Sequence, residues 1–423
     1  MNNEAQLGEE FIKYYSDLNQ EPFSVGSISR IFGGASRETY RLSVLNKDLV
    51  ETRLIYRRSQ PSALIETDQL TEYSAYMAFQ NSEVPVPKTI AIEESANSLG
   101  APFIIMEELV GEAASPFDQE AYSPHEEELG HQFWNILGEI VIKDTKDPNL
   151  SSIPGREFEG PSWKRELDHW VEVIRQDSFS VEPILEAAIR ELYRNPPKDP
   201  IKKCLVHGDY RNGNFLSKDD SLVGILDWEM AHIGDPLEDL AWATSPIWCW
   251  KDHNRPSYLI QKEKAFKIWQ EKTQIKIEKE SLAWWDLFAC VKGLAIWTSA
   301  GNEFISGSNT DPINLFSAWI PGDIHLEIIL EILGKSDVEI IKSSALNERH
   351  YGGLTGLNKD EVITKYGNKQ VQIWRRSFNT RPPPMDKQHP CHDKINSNIL
   401  SESLKDTVKR VIPYYEKKIK PLI

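Results

Sequence analysis

The sequence predicts an α+β fold of two lobes, a five-stranded N-lobe and a helical C-lobe, followed by an incomplete C-terminal α/β segment. Three observations predict this order. Short apolar runs separated by turn residues fill residues 1–110, which is typical of an antiparallel sheet. From residue 111 to 334 apolar residues recur mostly at helical spacing. After Gly334 the composition shifts towards Lys, Asn and Pro, so we expect a separate segment at 338–423.

The N-lobe is predicted element by element from its apolar runs. Residues 9–18 and 67–79 carry apolar side chains at helical spacing. The turn Asn46-Lys47-Asp48 contains residues that favour tight turns, and similar turns separate the other runs. The five predicted strands lie at residues 28–32, 39–45, 52–58, 86–92 and 103–107.

The C-lobe is predicted as a set of helices that one strand–loop–strand segment, residues 205–228, interrupts. Asp235 before Pro236 predicts the start of a helix, because Asp caps the first turn and Pro suits its first position. Helices are predicted at residues 131–143, 163–174, 182–193, 236–243, 260–272, 282–299 and 325–333.

Composition narrows the classes of partner. The chain has 423 residues, a formal net charge of −16 and no long basic stretch, which argues against nucleic acid or an anionic membrane as a main partner. No apolar run approaches the roughly 20 residues that span a bilayer, and the acidic N-terminus does not resemble a secretory signal. Four scattered cysteines without a CxxC pair predict a cytoplasmic protein without a zinc site. The sequence leaves the oligomeric state open.

One short polar segment carries the chemistry. Residues 207–214 read HGDYRNGN, with Asp209, Arg211 and Asn214 at positions Asp, Asp+2 and Asp+5. This is the spacing of a kinase catalytic loop, where the Asp accepts the proton of the acceptor hydroxyl and the Asn holds the metal. A solvated turn rich in Asp, Asn and Gly is the alternative. We interpret Asp209 and Arg211 as catalytic residues and Asn214 as a metal ligand.

Asp227 is predicted to be the second metal ligand. It follows the apolar run 222–226, so it stands at the end of a predicted strand, 13 residues after Asn214. Carboxylate and amide oxygens suit a Mg²⁺ ion that bridges nucleotide phosphates. The motif therefore predicts ATP and Mg²⁺ as cofactors and a hydroxylated small molecule as the partner.

A glycine-rich turn lies between the first two predicted strands and contains Gly33, Gly34 and Ser36. Glycines at such a turn let backbone N–H groups approach the phosphates of a nucleotide. A tight hairpin turn explains the same glycines, so the catalytic loop decides between the two interpretations.

Charged residues of the N-lobe complete the predicted nucleotide site. Arg57 on the third strand and Glu72 on the following helix would form the ion pair that steadies the α- and β-phosphates. Arg58 is the alternative to Arg57, and both could be ordinary surface charges at a strand end. Glu107 and Leu109 fall where the lobes join, and their backbone groups would hydrogen-bond adenine.

Other polar and aromatic residues near the motif have structural interpretations. His207 is expected to orient the loop backbone, and Asp239 to brace the loop. The tryptophans of the C-lobe could line an acceptor pocket, although aromatic residues in helices more often belong to the core. They are Trp163, Trp170, Trp242, Trp284, Trp285 and Trp297.

These motifs together resemble the aminoglycoside phosphotransferase or choline kinase-like superfamily. The resemblance covers about residues 9–334 and rests on the glycine turn, Glu72, the HGD-x4-N segment and ILDWE at 225–229. The text ILDWEMAHIGDPLEDLAW, with Arg57 in place of the usual Lys, is most similar to the acyl-CoA-dehydrogenase-associated subgroup. The resemblance implies a two-lobed protein-kinase-like fold and Mg-ATP, and the subgroup implies a hydroxy acid or its CoA ester as acceptor.

The tail resembles part of a 2,3-bisphosphoglycerate-dependent phosphoglycerate mutase over about residues 338–423. The resemblance implies that Glu348 is a proton donor. The family's Arg-His-Gly and His-Gly-Asn motifs do not occur in this sequence, so a phosphoenzyme would lack its nucleophile, and a fragment without core strands should pack poorly. The other implied substrate-site residues are Arg349, His350, Tyr351, Lys359, Arg375 and Arg376.

Three functions remain open at this point. The leading hypothesis is an ATP-dependent kinase that phosphorylates a hydroxyl of a small molecule, because every catalytic position of the motif is filled. The second is a non-catalytic nucleotide-binding module. The third is a phosphoglycerate mutase, assigned through the tail and expected to be inactive because both histidine motifs are missing.

Overall fold

The computed structural model describes most of the chain and divides it into two compact units. The units are Met1–Ser336 and Asp337–Ile423. The described residues are 2–31, 37–59, 68–115, 118–178, 181–200, 202–334, 343–389, 392 and 400–422, of which 2, 3, 359, 360 and 422 are described by their backbone alone.

The first unit begins with an antiparallel five-stranded sheet in the order β1-β2-β3-β5-β4. Alternating side chains of a strand face opposite sides, and Tyr40, Leu42 and Val44 of β2 use that period to bury one face against Phe11 of α1. The elements are α1 (Asn2–Asn19), β1 (Ser24–Ile31), β2 (Arg37–Leu45), β3 (Glu51–Ser59), α2 (Gln69–Phe79), β4 (Thr89–Glu93) and β5 (Phe103–Glu107).

The rest of the first unit is mainly helical, so the predicted fold class is confirmed. The apolar helix α8 packs against α4, α5, α6 and α9. None of the described helices is long and apolar enough to cross a bilayer. The helices are α3 (Glu126–Ile142), α4 (Ser162–Asp177), α5 (Pro183–Arg194), α6 (Pro236–Ala243), α7 (Lys262–Thr273), α8 (Lys279–Ser306) and α9 (Pro312–Ile332).

Two short strand pairs position the HGDYRNGN segment and the second acidic segment between these helices. β6 (Cys204–Val206) pairs with β9 (His232–Gly234), and β7 (Phe215–Lys218) pairs with β8 (Ser221–Ile225). The segment HGDYRNGN leaves β6 and enters β7, and the second acidic segment leaves β8 and enters β9. Both segments therefore begin and end on paired strands.

Several predicted elements have the wrong bounds: α1 begins at Asn2 rather than at residue 9, and α8 extends over Lys279–Ser306 rather than 282–299. Helix α9 begins at Pro312, not at residue 325, because Asp311 caps it with a side-chain bond to the N–H of Ile313 at 3.0 Å. The helix continues through Pro321. Strand β4 begins at Thr89 rather than residue 86, since the prolines before it cannot donate to a sheet.

The described residues of the second unit form helices and loops, with no strand among them. Their large apolar side chains are buried at few positions, Val362, Val371 and Met385, in line with the expected poor packing. The helices are α10 (Lys359–Tyr366), α11 (Asn368–Arg376) and α12 (Leu404–Tyr414), and α12 exposes Leu404, Val408 and Ile412.

Candidate active site

The β7–β8 hairpin brings the two predicted metal ligands together. Asn214 directly precedes β7, where Phe215 pairs with Ile225 of β8. The N–H of Leu226 donates to the carbonyl oxygen of Asn214 at 2.8 Å. Asp227 follows with a left-handed φ of 67°, which Asp tolerates better than most residues. The register of the hairpin therefore places Asp227 close to Asn214.

Asp209 is surrounded by hydrogen-bond donors. Its Oδ1 accepts from Nε of Arg211 at 2.9 Å and from the indole Nε1 of Trp242 at 2.7 Å. Its Oδ2 accepts from the amide Nδ2 of Asn214 at 2.6 Å. The guanidinium of Arg211 also lies 4.5 Å from the ring centroid of Trp248. These contacts fix the orientation of the Asp209 carboxylate.

The backbone of the same loop is held by Asp239 and His207. Asp239 of α6 accepts the N–H of His207 at 2.6 Å and that of Gly208 at 2.9 Å. His207 is buried, with Nε2 3.0 Å from the carbonyl oxygen of Leu226, and its Nδ1 accepts the N–H of Asp209 at 3.2 Å. Burial lowers the pKa of His207, and a neutral ring protonated on Nε2 fits both bonds. Both residues thus have the structural contacts that were predicted.

Arg57 bridges two carboxylates. Its Nη1 donates to Glu72 at 2.7 Å and its Nη2 to Asp227 at 2.8 Å. Burial raises the pKa of Glu72, whereas at Asp227 the effect of burial is outweighed by Arg57, which lowers that pKa. Arg58 pairs instead with Glu38 of β2, with 3.6 Å between Nε and Oε2. Of the two arginines, the structure therefore brings Arg57 to the site.

A third carboxylate, Glu229, lies two residues beyond Asp227 and 3.7 Å from Nε of Arg37. Burial, together with the charge of Asp227, raises the pKa of Glu229 to about 8. Glu229 is then mostly protonated at neutral pH, which limits the negative charge next to Asp227.

Of the remaining residues predicted to bind the nucleotide, Glu107 and Leu109 belong to the described part of the chain. Gly33, Gly34 and Ser36 lie outside the described residues. Glu107 is the last residue of β5. Leu109 follows it and packs its side chain against strand β8, so the segment between the lobes contacts the hairpin that carries the metal ligands.

Lys292 is a site residue that the sequence interpretation missed. It is 1% exposed, and its Nζ donates to the carbonyl oxygen of Gly208 at 2.6 Å and to Glu238 at 3.1 Å. A lone Lys in the apolar middle of α8 was the available signal, because buried lysines need a partner.

Lys292 belongs to a buried charge network with Glu238, His232 and Glu166. His232 Nε2 lies 3.0 Å from Glu238 and 3.7 Å from Glu166. Although burial opposes the change, these carboxylates raise the pKa of His232 to about 8. Glu166, His232 and Glu238 lie close enough together to hold a metal ion, and each of them already has a basic or acidic partner within the network. The network is accounted for by its own charges.

The tryptophans of the C-lobe belong mainly to the hydrophobic core. The four that are buried there are Trp170, Trp242, Trp284 and Trp285, and Trp163 and Trp297 pack against that core partly buried. The core interpretation is therefore favoured over a pocket wall, with Trp242 also in contact with the catalytic loop.

The mutase-like residues of the second unit are brought together only in part. The guanidinium carbons of Arg349 and Arg375 lie 4.6 and 5.8 Å from the ring centroid of Tyr351. Nη2 of Arg349 donates to the carbonyl oxygen of Arg375 at 3.1 Å, and the N–H of His350 donates to Glu402 at 3.0 Å. Of the others, Glu348 and Arg376 are exposed, and Lys359 is described by its backbone alone.

A small antiparallel sheet, a helical lobe and a loop that gathers two Asp residues and an Asn define a kinase-like phosphotransferase. The chain belongs to the phosphotransferase enzyme family, whose model matches residues 27–275. The predicted resemblance of about residues 9–334 to the aminoglycoside phosphotransferases is confirmed.

Solved structures with the same fold are phosphotransferases. A putative aminoglycoside phosphotransferase from Ralstonia eutropha JMP134 is 19% identical with a TM-score of 0.59, over 77% of this chain and 98% of that chain. The macrolide 2'-phosphotransferase MphH from Brachybacterium faecium is 13% identical with a TM-score of 0.50, over 79% of this chain and 100% of that chain. Identities this low show the fold alone.

The tail matches another family. The model of the histidine phosphatase superfamily (branch 1) matches residues 326–419. The 2,3-bisphosphoglycerate-dependent phosphoglycerate mutase of Sphingopyxis alaskensis is 40% identical over 35% of this chain and 68% of its own length. That of Buchnera aphidicola subsp. Schizaphis graminum is 53% identical over 24% of this chain and 48% of its own length. This part of the chain belongs to the mutase family, and the chain spans about half to two thirds of these relatives.

Replacing Gly208 by Ala measures how tightly the catalytic loop is fixed. Gly208 has a φ of 87°, and a Cβ there would overlap the carbonyl oxygen of Met230. We expect Gly208→Ala to lower the free energy of unfolding by roughly 2–5 kcal/mol, from left-handed strain and overpacking together, as measured by denaturant unfolding. Gly100→Ala is the matched control, since φ there is 75° with no described atom within 4 Å. Equal losses in both variants would contradict the packing argument.

The charge of His232 should make stability depend on pH. The pKa of His232 is about 8 in the fold against an ordinary 6.5. The charged imidazole therefore contributes fully to the free energy of unfolding below about pH 6.5, and this contribution is lost as pH rises through 8. That shift corresponds to about 2 kcal/mol. We expect His232→Gln to lower Tm most near pH 6, with a smaller difference from wild type near pH 9. His131→Gln, at an exposed position, is the control; a His232→Gln effect that is constant across this range would exclude the charge.

Proposed function

We propose that the chain is an ATP-dependent kinase that phosphorylates a hydroxyl of a small molecule, with a hydroxy acid or its CoA ester as the acceptor class. The observation that carries the proposal is the joint placement of Asp209, Asn214 and Asp227 by the loop and the β7–β8 hairpin. Three oxygen-bearing side chains at one point are what phosphoryl transfer from a metal nucleotide needs.

In this proposal Asp209 orients the acceptor hydroxyl and accepts its proton. The carboxylate is already held in one orientation by donors on both oxygens, so little reorganisation is needed when an acceptor arrives. Arg211 stands two residues on and is steadied by the Trp248 ring. Its charge would stabilise the γ-phosphoryl group during transfer.

Asn214 and Asp227 would hold Mg²⁺. The donor set fits this ion, because Asn214 uses its amide nitrogen on Asp209 and so presents its amide oxygen, and Asp227 adds a carboxylate whose pKa is lowered by Arg57. Oxygen ligands of this kind are those Mg²⁺ prefers. When bound, the ion would supply charge neutralisation to the nucleotide phosphates.

The nucleotide itself would lie against the N-lobe. Arg57, oriented by Glu72, would contact the α- and β-phosphates, and the turn containing Gly33, Gly34 and Ser36 would offer backbone N–H groups. Backbone groups of Glu107 and Leu109 would hydrogen-bond the base.

We also propose that the chain is divided into an N-lobe at 1–110, a C-lobe with the catalytic loop at 111–334 and the mutase-like segment at 338–423.

Structures of similar fold support the use of a nucleotide and of a small acceptor. A thermostable mutant of aminoglycoside phosphotransferase APH(4)-Ia forms a ternary complex with AMP-PNP and hygromycin B, and aminoglycoside 2'-phosphotransferase-IIIa forms a GDP complex. Those ligands belong to those proteins. For this chain the donor assay should therefore include GTP beside ATP.

Replacing Asp209 by Asn tests the proposal. The full-length chain with Mg-ATP is assayed for phosphate transfer against hydroxy acids, their CoA esters, amino alcohols and sugars. We expect wild type to phosphorylate one of these classes, and Asp209→Asn to lose roughly 10²–10⁴-fold in kcat because the general base is removed. ATP binding, followed by calorimetry, should be retained. Asp220→Asn, an exposed Asp of the same hairpin, is the matched control and should keep wild-type turnover.

Three outcomes separate the hypotheses. Equal turnover of Asp209→Asn and Asp220→Asn would exclude Asp209 as the base. Binding of Mg-ATP by wild type without transfer to any acceptor would favour a nucleotide-binding module. Interconversion of 2-phosphoglycerate and 3-phosphoglycerate, assayed in parallel, would assign the activity to the tail.

A further inference from the structure

Helix α6 makes three hydrogen bonds to the catalytic loop through Asp239 and Trp242. All eight of its residues are buried. Asp239 accepts two backbone N–H groups of the loop, and Trp242, which lies one turn further on the same face, donates its indole N–H to Oδ1 of Asp209 at 2.7 Å. Glu238 accepts from Lys292 at 3.1 Å. The short helix therefore reaches the loop backbone and the Asp209 side chain at once.

Lys292 of α8 contacts both the catalytic loop and the ring of Trp242. Its Nζ lies 5.1 Å from the ring centroid of Trp242 and 5.6 Å from that of Trp170, while it donates to the carbonyl oxygen of Gly208 at 2.6 Å. A desolvated cation above an aromatic face is attracted to it. Because a buried ammonium is costly without partners, the position of Lys292 is tied to the ring, the carbonyl and Glu238 together.

Trp242 differs in kind from the other donors to Asp209. In the proposed reaction Arg211 serves the γ-phosphoryl group and Asn214 serves the metal, so both can change their contacts when the substrates bind. The indole of Trp242 is buried, 2% exposed, and in the proposed mechanism it contacts neither the phosphoryl group nor the metal. It is the donor that can keep Oδ1 of Asp209 in place throughout the reaction.

We propose that Trp242 and Lys292 are positioning residues for phosphoryl transfer: Trp242 orients the Asp209 carboxylate through its indole N–H, and Lys292 holds the Trp242 ring and the Gly208 carbonyl behind it. The kinetic part of this inference rests on the proposed kinase function, whereas the indole contact can be tested without any activity.

The first test replaces Trp242 by Phe, which keeps a ring for Lys292 but removes the N–H. We expect kcat to fall about tenfold, or about 1.4 kcal/mol of activation free energy, with KM for ATP unchanged. Trp269→Phe is the matched control: it is equally buried, and its Nε1 has no hydrogen-bond partner among the described residues.

The second test needs no acceptor. In nuclear magnetic resonance spectra of the full chain, the indole N–H signal of Trp242 is the one that disappears in Trp242→Phe. We expect Asp209→Asn to shift that signal while leaving the Trp269 signal in place. An unshifted Trp242 signal would overturn the proposal, even if the chain proves to be a kinase. A shifted signal in a chain without transferase activity would leave the contact established and remove the kinase function instead.

The third test asks whether Lys292 acts through Trp242. Lys292→Met should lower kcat with KM for ATP unchanged. The double variant with Trp242→Phe should lose much less than the product of the single losses, since the effects of residues in one network are not additive. If Lys292→Met fails to fold, the comparison of Trp242→Phe with its control Trp269→Phe tests the inference alone. Fully multiplicative losses, or a kcat of Trp242→Phe equal to that of Trp269→Phe, would overturn the inference.

Discussion

The carboxylate of Asp239 accepts hydrogen bonds from two backbone N–H groups of the catalytic loop, those of His207 and Gly208. The site depends on this pair of hydrogen bonds. Buried N–H groups without acceptors cost free energy, so the loop is stable in this conformation only while α6 lies against it. α6 in turn is fixed by the β6–β9 pair, which ends at Gly234 just before the Asp235 cap. The position of Asp209 is therefore determined by strands and a helix cap rather than by the loop itself.

Charge balance is the second condition that the site satisfies. Arg57 lies between Glu72 and Asp227, and Glu229 beside them is kept mostly neutral by burial. The Lys292 network repeats the arrangement behind the loop, with the carboxylate of Glu238 between two cations. Since an unpaired buried charge costs several kcal/mol, each cluster restricts the residues that its positions can accept. Charge pairing thus orients the same groups that the proposed chemistry uses.

The sequence predicted the parts of the site that depend on local signals. The bounds of α6 agree with the prediction because Asp235 and Pro236 are adjacent, and the Arg57–Glu72 pair follows from their places on β3 and α2. Long-range contacts could not be predicted in this way. The approach of Lys292 to Gly208 joins residues 84 apart in the chain, and no spacing in a single sequence indicates it.

Helix α9 was predicted too short, at residues 325–333. Pro321 removes one backbone N–H, yet the helix extends from Pro312 to Ile332, because packing along α8 outweighs the missing hydrogen bond. Local propensity is a weak guide wherever an element is held by a long apolar partner. The predicted glycine turn at Gly33 and Gly34 lies outside the described residues, so its part in the site stays a prediction.

The basic residues predicted for the two sites have different partners, and this difference bears on function. In the first unit Arg57 contacts Glu72 and Asp227, and Arg211 contacts Asp209 besides the carbonyl oxygen of Asn212. A metal nucleotide can replace these carboxylates as partners. In the second unit Arg349 donates to main-chain carbonyl oxygens, and Nδ1 of His350 accepts the N–H of Gly352 at 3.0 Å. Groups bound to the main chain stabilise a local fold, and releasing them for a phosphate would leave carbonyl and N–H groups without partners. The first unit is for that reason the better place to look for the chemistry of this chain.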